Sequence, residues 1–175
     1  MPDAVDRILE QWATERPDLD ASPMAVLGRI VRLARELDQP IQQVFRRHGL
    51  GSAEFDVLAT LRRAGDPFRL TPGVLVESMM VTSGAVTKRV DRLARPGLVA
   101  RHPDPGDRRS VLVGLTSDGR RLVDLVVQEH LANEERLLAR LSPREREDLA
   151  RLLRKLGDSV RSADEHRGAD LVPLR

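Results

Sequence analysis

The sequence predicts a mainly α-helical protein that carries one small β-hairpin. Three helix starts are marked by a hydroxyl residue followed by proline, at Ser22-Pro23, Thr71-Pro72 and Ser142-Pro143. A hydroxyl side chain accepts hydrogen bonds from the free N–H groups of a helix start, and proline fits the first helical position because its missing N–H would be unpaired there. Apolar residues recur at helical spacing between these starts. Two short apolar runs on either side of PDPGDRR, residues 103–109, indicate the hairpin.

The N-terminal part is expected to form three helices. A short helix over residues 6–15 carries Trp12 on its apolar side, and a longer helix follows over residues 24–47. Pro40 lies inside the second helix and should kink or split it, because proline lacks the N–H that the helix interior needs. A third helix is expected over residues 52–64.

The middle of the chain has the spacing of a helix-turn-helix. Two short helices are expected over residues 71–79 and 82–95, joined by a few residues, and Pro96-Gly97 ends the second. Strands over residues 98–102 and 110–115 form the hairpin. A helix-turn-helix followed by a hairpin is a winged helix-turn-helix, and this is the fold class that we predict.

The last two helices, over residues 116–141 and 142–163, carry more apolar positions than a small DNA-reading module needs. We therefore expect the long helices at both ends of the chain to form a dimer interface. The predicted organisation is one compact unit with these parts: an extra N-terminal helix in residues 1–20, dimerisation helices in residues 22–50 and 117–165, and the winged helix-turn-helix in residues 51–116.

Composition limits the classes of function. The chain has 29 Lys and Arg against 27 Asp and Glu, but residues 88–109 alone hold seven basic residues and three aspartates. Local basicity of this kind indicates DNA binding, although the average charge of the chain does not. Cysteine is absent, which excludes disulfides and cysteine-based zinc sites within this chain. The histidines are scattered and no catalytic motif is evident, so we expect no metal, no cofactor and no enzyme; without a membrane span or signal-like segment, a cytoplasmic protein is expected.

The DNA-binding residues are predicted on the outward face of the second helix of the helix-turn-helix and at the hairpin tip. Such a helix fits the major groove, and a basic hairpin tip reaches the minor groove. We assign Arg109 to the minor groove, Asp107 to its orientation and Arg108 to a phosphate. The alternatives are an ordinary solvated helix face and a charged solvated loop. The helix residues are Ser83, Gly84, Thr87, Lys88, Arg92 and Arg95.

A second group of charged residues lies off the DNA-binding face. Asp56 occupies an otherwise apolar helix segment, and an unpaired charge in such a place is unfavourable. Arg89, at the flank of an apolar stripe, and Arg101, at the start of the hairpin, are candidate partners. A small anion that competes for these arginines would disturb the second helix of the helix-turn-helix, the recognition helix. The alternative is a purely structural ion pair.

The chain resembles the MarR family of winged-helix regulators. The resemblance lies in TSGAVTKRVDRLARPGLV, DPGDRRSVLV and LTSDG, and with the flanking helices it spans Met24 to Val160. Pro96 departs from the family, which more often has a helix-compatible residue there. The resemblance implies a homodimer that binds a pseudo-palindromic operator in double-stranded DNA, usually represses a nearby gene, and releases DNA when a small molecule binds.

The extra N-terminal helix with Trp12, Asp56, Arg89 and Arg101 is similar to a subgroup that responds to urate and related anions. That similarity implies that Trp12 stacks on the ligand, Arg89 pairs with its anionic group, Asp56 senses its charge and Arg101 is the salt-bridge partner of Asp56. Organic acids such as citrate or aconitate are alternative ligands, and Trp12 is alternatively a core anchor for the first helix. The competing functions are a constitutive or architectural DNA-binding protein without an effector and a winged-helix module used only for protein contacts.

Overall fold

The computed structural model describes residues 2–107 and 110–169, with side chains described up to residue 163. The fold is mainly helical with a small antiparallel sheet, which confirms the predicted fold class. Arg108 and Arg109, to which the sequence assigns DNA contacts, lie outside the described residues. The elements are α1 Ala4–Glu15, α2 Ser22–Arg47, α3 Ser52–Arg63, β1 Arg69–Leu70, α4 Pro72–Met79, α5 Ser83–Ala94, β2 Val99–Pro103, β3 Val111–Leu115, α6 Ser117–Leu137 and α7 Pro143–Ala169.

One apolar core holds the helix-turn-helix against the neighbouring helices. It takes side chains from the end of α2, from α3, α4 and α5, from the sheet and from α6. Leu58, Leu61, Leu75 and Leu93 are buried completely or almost completely. Burial of one such aliphatic side chain stabilises the fold by about 1.5–3 kcal/mol. The core therefore fixes the orientation of α5 from its inner side.

The sheet has the strand order β1-β3-β2, and both pairings are antiparallel. The segment that follows α5 is bonded to the residue that precedes α6: the Thr116 hydroxyl donates to the carbonyl of Gly97 at 2.7 Å. Gly119 is buried directly against the Leu98 carbonyl, and a Cβ at this position would overlap that oxygen. Glycine is required here because the first turn of α6 approaches the backbone so closely.

Two of the three predicted helix starts have the expected caps. The Thr71 hydroxyl accepts from the Val74 N–H at 3.3 Å, and Ser142 forms a capping box with Glu145. The prediction for Ser22 is wrong. The cap of α2 is Ala21, which makes no side-chain bond, and the carboxylate of Asp20 accepts from the Ser22 N–H at 2.9 Å instead.

Pro40 does not split α2, which runs as one helix of 26 residues through the proline. The Pro40 carbonyl accepts a hydrogen bond from the Asn133 side-chain amide of α6 at 3.3 Å. Proline removes one N–H donor from the helix interior, and this loss does not break α2.

The first helix docks on α2 through its N-terminal end. Asp3 caps α1 and forms a capping box with Asp6, and the Arg29 side chain of α2 bonds to both carboxylates. Val5 is the buried residue of this helix, with 3% of its surface exposed, whereas Trp12 is 40% exposed. The apolar anchor of α1 is therefore Val5 rather than Trp12.

The described residues form two compact units, one up to Asn133 and one from Glu134 onwards. In the second unit, Arg146 of α7 bonds to the Glu135 carboxylate at 2.7 Å and to the Leu141 and Leu138 carbonyls at 3.0 Å each. These bonds satisfy carbonyls that the end of α6 leaves without a helical partner. No helix within residues 2–107 and 110–169 combines the length and the apolar character of a membrane span.

Candidate DNA-binding surface and ligand site

The recognition helix α5 has one buried face and one exposed face, as predicted. Val86, Val90 and Leu93 are at most 2% exposed. The opposite face consists of exposed residues that include every residue of this helix predicted to meet DNA: Ser83, Gly84, Thr87, Lys88, Arg92 and the C-terminal cap Arg95. This arrangement offers two cations of the helix body and one at its end to a partner in solution.

The N-terminus of α5 is open. Thr82 caps it by accepting from the Ala85 N–H at 3.4 Å, and the Thr87 hydroxyl donates back to the Ser83 carbonyl at 3.1 Å. A Cβ added at Gly84 would meet nothing within 4 Å. The free N–H groups of a helix start favour a phosphate, and small residues here allow a duplex to approach closely.

The sequence predicts that Met79 and Met80, at the turn that precedes α5, both pack in the core. Only Met79 does so, with 8% exposure, and Met80 is 92% exposed. Met80 adopts a left-handed backbone conformation with φ 51°, which turns its side chain outward at the end of α4. The prediction for Met80 is therefore wrong.

Three arginines around the recognition helix pair with carboxylates. Arg92 lies 3.1 Å from Glu54, Arg101 lies 2.7 Å from Asp91, and Arg89 lies 3.9 Å from Asp56. Glu54 and Asp56 belong to α3, so two of the pairs connect α3 with α5. Glu54 and Asp91 are site residues that the sequence does not predict. Their only signal in the sequence is that each is a carboxylate two residues away from a predicted site residue, Asp56 for Glu54 and Arg89 for Asp91.

The hairpin tip is described up to Asp107 and again from Ser110. The Ser110 N–H donates to the Asp107 carbonyl at 2.9 Å, and the Asp104 carboxylate accepts from the Gly106 N–H at 2.9 Å. These bonds order the described residues on both sides of the tip. The orientation of Arg109 by Asp107 stays a prediction from the sequence.

The predicted ligand residues are only partly brought together. Asp56 and Arg89 are neighbours, as expected, with side-chain exposures of 45% and 21%. Arg101 pairs with Asp91, so the expected Asp56–Arg101 salt bridge is corrected to an Asp91–Arg101 pair. The physical reason is that Asp91 lies on the outward side of α5, next to the strand from which Arg101 extends.

Trp12 lies at the other end of α1, beside the turn that leads to α2. It lines a cavity of about 190 Å³ together with Leu19, Asp20, Ala21 and Met24. None of Asp56, Arg89 and Arg101 lines this cavity. No cluster of three metal-binding side chains occurs in the part of the chain that the structure describes.

Exposed apolar side chains are concentrated on three long helices. They are Met24, Val26, Leu27, Val31 and Leu33 of α2, Leu125, Leu131 and Leu137 of α6, and Leu149, Leu152, Leu153 and Val160 of α7.

Comparison with known proteins places these features in a family. A model described as the MarR family matches residues 48–110. The HTH-type transcriptional regulator PecS of Dickeya dadantii (strain 3937) is 42% identical over 149 residues, which are 85% of this chain and 90% of PecS.

Solved structures give the same result. A MarR variant from E. coli complexed with operator DNA aligns with a TM-score of 0.66 and 30% identity, covering 79% of this chain and 99% of that one. Bordetella bronchiseptica BpsR, described as regulated in its DNA binding by 6-hydroxynicotinic acid, aligns with a TM-score of 0.66 and 32% identity, covering 77% of this chain and 95% of that one.

Proposed function

Because the chain belongs to the MarR family of transcriptional regulators, we propose that it is a homodimeric repressor that binds a pseudo-palindromic operator and leaves it when a small anion binds. The observation that carries the DNA-binding part is the two-sided recognition helix. Its buried Val86, Val90 and Leu93 fix the helix axis, and its other side is exposed and basic.

In this proposal α5 enters the major groove. Lys88, Arg92 and Arg95 contact base edges or phosphates, and the open N-terminus at Ser83 and Gly84 receives a phosphate. The hairpin tip then lies over the adjacent minor groove, where Arg109 enters, Arg108 contacts a phosphate and Asp107 orients the arginine. E. coli MarR has been captured on its operator, which supports this use of the fold.

The exposed apolar side chains of α2, α6 and α7 support a second copy of the chain as partner. Large apolar side chains that are exposed repeatedly along a helix are typical of interaction sites. A twofold dimer places its two recognition helices about one helical turn of DNA apart, roughly 34–36 Å, which explains a pseudo-palindromic operator.

Release by an anion is proposed to begin at the Asp56–Arg89 pair. Arg89 lies on the same helix as the DNA-facing residues, and at 3.9 Å from Asp56 its ion pair is longer than a hydrogen bond, so an anion can compete for it. An anion that takes Arg89 from Asp56 acts directly on α5, and the coupling between ligand and DNA is necessarily reciprocal. We propose urate or a related organic anion as the ligand of this pair; the regulation of BpsR by 6-hydroxynicotinic acid supports this class.

A mobility-shift experiment tests the proposal. The purified protein is titrated on its own upstream region and on a random duplex at physiological ionic strength, with and without millimolar urate, xanthine, salicylate or citrate. Preferential upstream binding that one of these anions abolishes is expected. Equal binding to both duplexes would overturn DNA recognition, and upstream binding that resists every anion would favour a constitutive regulator.

A further inference from the structure

We propose that Glu54 is a positioning residue that holds Arg92 outward on the DNA-facing side of α5 and so increases the preference for operator over other DNA. This inference rests on the proposed function, since it concerns how the same surface recognises a duplex. Glu54 does not itself contact DNA in this proposal.

The Glu54–Arg92 pair combines a shielded anion with an exposed cation. The two side chains are 3.1 Å apart, and their exposures are 14% for Glu54 and 69% for Arg92. In the Asp91–Arg101 pair both side chains are about half exposed, at 49% and 46%, and in the Asp56–Arg89 pair the arginine is the less exposed partner. Among these three pairs, only Glu54 is an anchor that supports an outward-reaching arginine.

Glu54 is itself held in place by its position in α3. It lies in the first turn of the helix, where the helix dipole favours a carboxylate. Its Oε2 lies 2.5 Å from the point that a Cβ at Gly51 would occupy, so the carboxylate folds back over the glycine that precedes the helix. The backbone of Gly51 is extended, with φ −90°, and any residue could adopt it; what glycine provides is space for the carboxylate.

The pair leaves most of the guanidinium free to act. The hydrogen bond runs from Nη1 of Arg92 to Oε1 of Glu54, whereas a guanidinium carries five N–H donors. An arginine that is already extended loses less side-chain entropy when it binds a phosphate or guanine. This benefit adds to the operator preference where Arg92 meets the edge of a particular base, since phosphates are present on every duplex.

The negative charge of Glu54 has an opposite and separable effect. It repels every phosphate backbone to the same degree, whatever the sequence, and salt screens this repulsion. Removal of the charge should therefore raise affinity slightly for all DNA while it lowers discrimination. The ratio of the two dissociation constants separates these effects.

The experiment measures Kd for the upstream operator and for a random duplex with the full-length protein and its Glu54→Gln variant. We expect the operator preference to fall about five- to tenfold, which corresponds to part of the rotamer entropy of one arginine. Glu77→Gln is the matched control, because Glu77 is an exposed carboxylate of α4 and the same charge is lost. The control should keep the wild-type preference.

Variants of Arg92 complete the test. Arg92→Ala should lose the preference to at least the same degree, and Glu54→Gln added to Arg92→Ala should cause no further loss. Arg92→Lys keeps the charge without the planar fork and should resemble Glu54→Gln; it also serves if Glu54→Gln does not fold.

Two results would overturn the inference alone: a Glu54→Gln protein that behaves like Glu77→Gln, or additive losses in the double variant. An Arg92→Lys protein with the wild-type preference would do the same. A wild-type protein that shows no operator preference would instead overturn the proposed function, and this inference with it.

Discussion

At the residue scale, the two arginines of α5 that pair with α3 differ in how far their side chains are exposed. Arg89 is 21% exposed beside Asp56, whereas Arg92 is 69% exposed beside Glu54. The first arginine is placed to respond to a molecule held beside the protein core, and the second to a molecule in solution. A single helix thus presents one arginine to each of the two proposed partners.

Arg89→Ala should uncouple the proposed ligand from DNA. Wild-type coupling of this kind changes operator affinity by about 5- to 150-fold, and the factor should fall towards one in the variant. Loss of a partly exposed ion pair costs only about 0–1 kcal/mol of stability, so the variant should remain folded. Operator affinity measured with and without the active anion checks this.

Arg121→Ala is the control for that variant, because it breaks an exposed arginine–aspartate pair on α6 without touching α5. It should respond to the anion like the wild type. Undiminished anion sensitivity of Arg89→Ala would remove the Asp56–Arg89 pair from the mechanism.

Arg109→Ala should weaken operator binding by about 1–3 kcal/mol if its side chain enters the minor groove. Arg151→Ala, which removes an exposed arginine of α7, should leave operator binding unchanged. Titration of a labelled operator by both variants measures the difference. Equal affinities of the two variants would exclude the hairpin tip from recognition.

Residue roles could be predicted from the sequence where a charge stood in an apolar pattern. Asp56 was identified in this way, and Arg89 lies beside it. Glu54 and Asp91 could not be identified, because each gains its partner only when α3, α5 and β2 come together. The burial of Glu54 is a property of the assembled fold.

At the element scale, the long amphipathic helices were predicted to within a few residues, whereas β1 was missed. Two residues are too few to show an alternating pattern, and β1 exists because Arg69 and Leu70 pair with Gly114 and Val113 far along the chain. Local rules predict helix type better than helix ends.

Docking of α1 should weaken at acidic pH. The backbone N–H of Asp6 and the Arg29 guanidinium lower the pKa of Asp3, and the backbone N–H of Asp3 and Arg29 lower the pKa of Asp6. A carboxyl group with a lowered folded-state pKa stabilises the fold above its unfolded-state pKa, about 3.9, and this contribution is lost as pH falls through the folded-state value. Emission of Trp12, the one tryptophan of the chain, should therefore shift to the red below about pH 3.9.

Arg29→Ala should move that transition to higher pH, towards the ordinary carboxyl pKa. Arg7→Ala removes the same charge from α1 itself and is expected to titrate like the wild type. A Trp12 signal that follows the same curve in all three proteins would contradict the assigned role of Arg29.

Gly119→Ala should destabilise the junction between the hairpin and α6. The added Cβ overlaps a backbone oxygen that cannot rotate away, and overpacking of this kind costs about 1–3 kcal/mol. The Tm of thermal unfolding should fall by about 2–4 °C for each kcal/mol of lost stability. Gly84→Ala is the matched control, since the new methyl group meets open space, and an equal drop in Tm for both variants would contradict the proposed close contact.

At the scale of the whole molecule, the proposed mechanism requires two copies of the chain. One copy presents one recognition helix, and a pseudo-palindromic site has two halves. The exposed apolar residues of α2, α6 and α7 are the surfaces that a second copy would cover. In the proposed mechanism, dimerisation and two-site recognition both depend on these long helices.

The most direct test of this account is the dependence of binding on half-site spacing. The operator is footprinted in the upstream region, and about five base pairs, half a helical turn, are inserted between its halves. We expect two chains per native site, and affinity for the spaced site close to that for random DNA, because the second half turns to the opposite face of the duplex. One chain per site, or undiminished affinity for the spaced operator, would contradict the account.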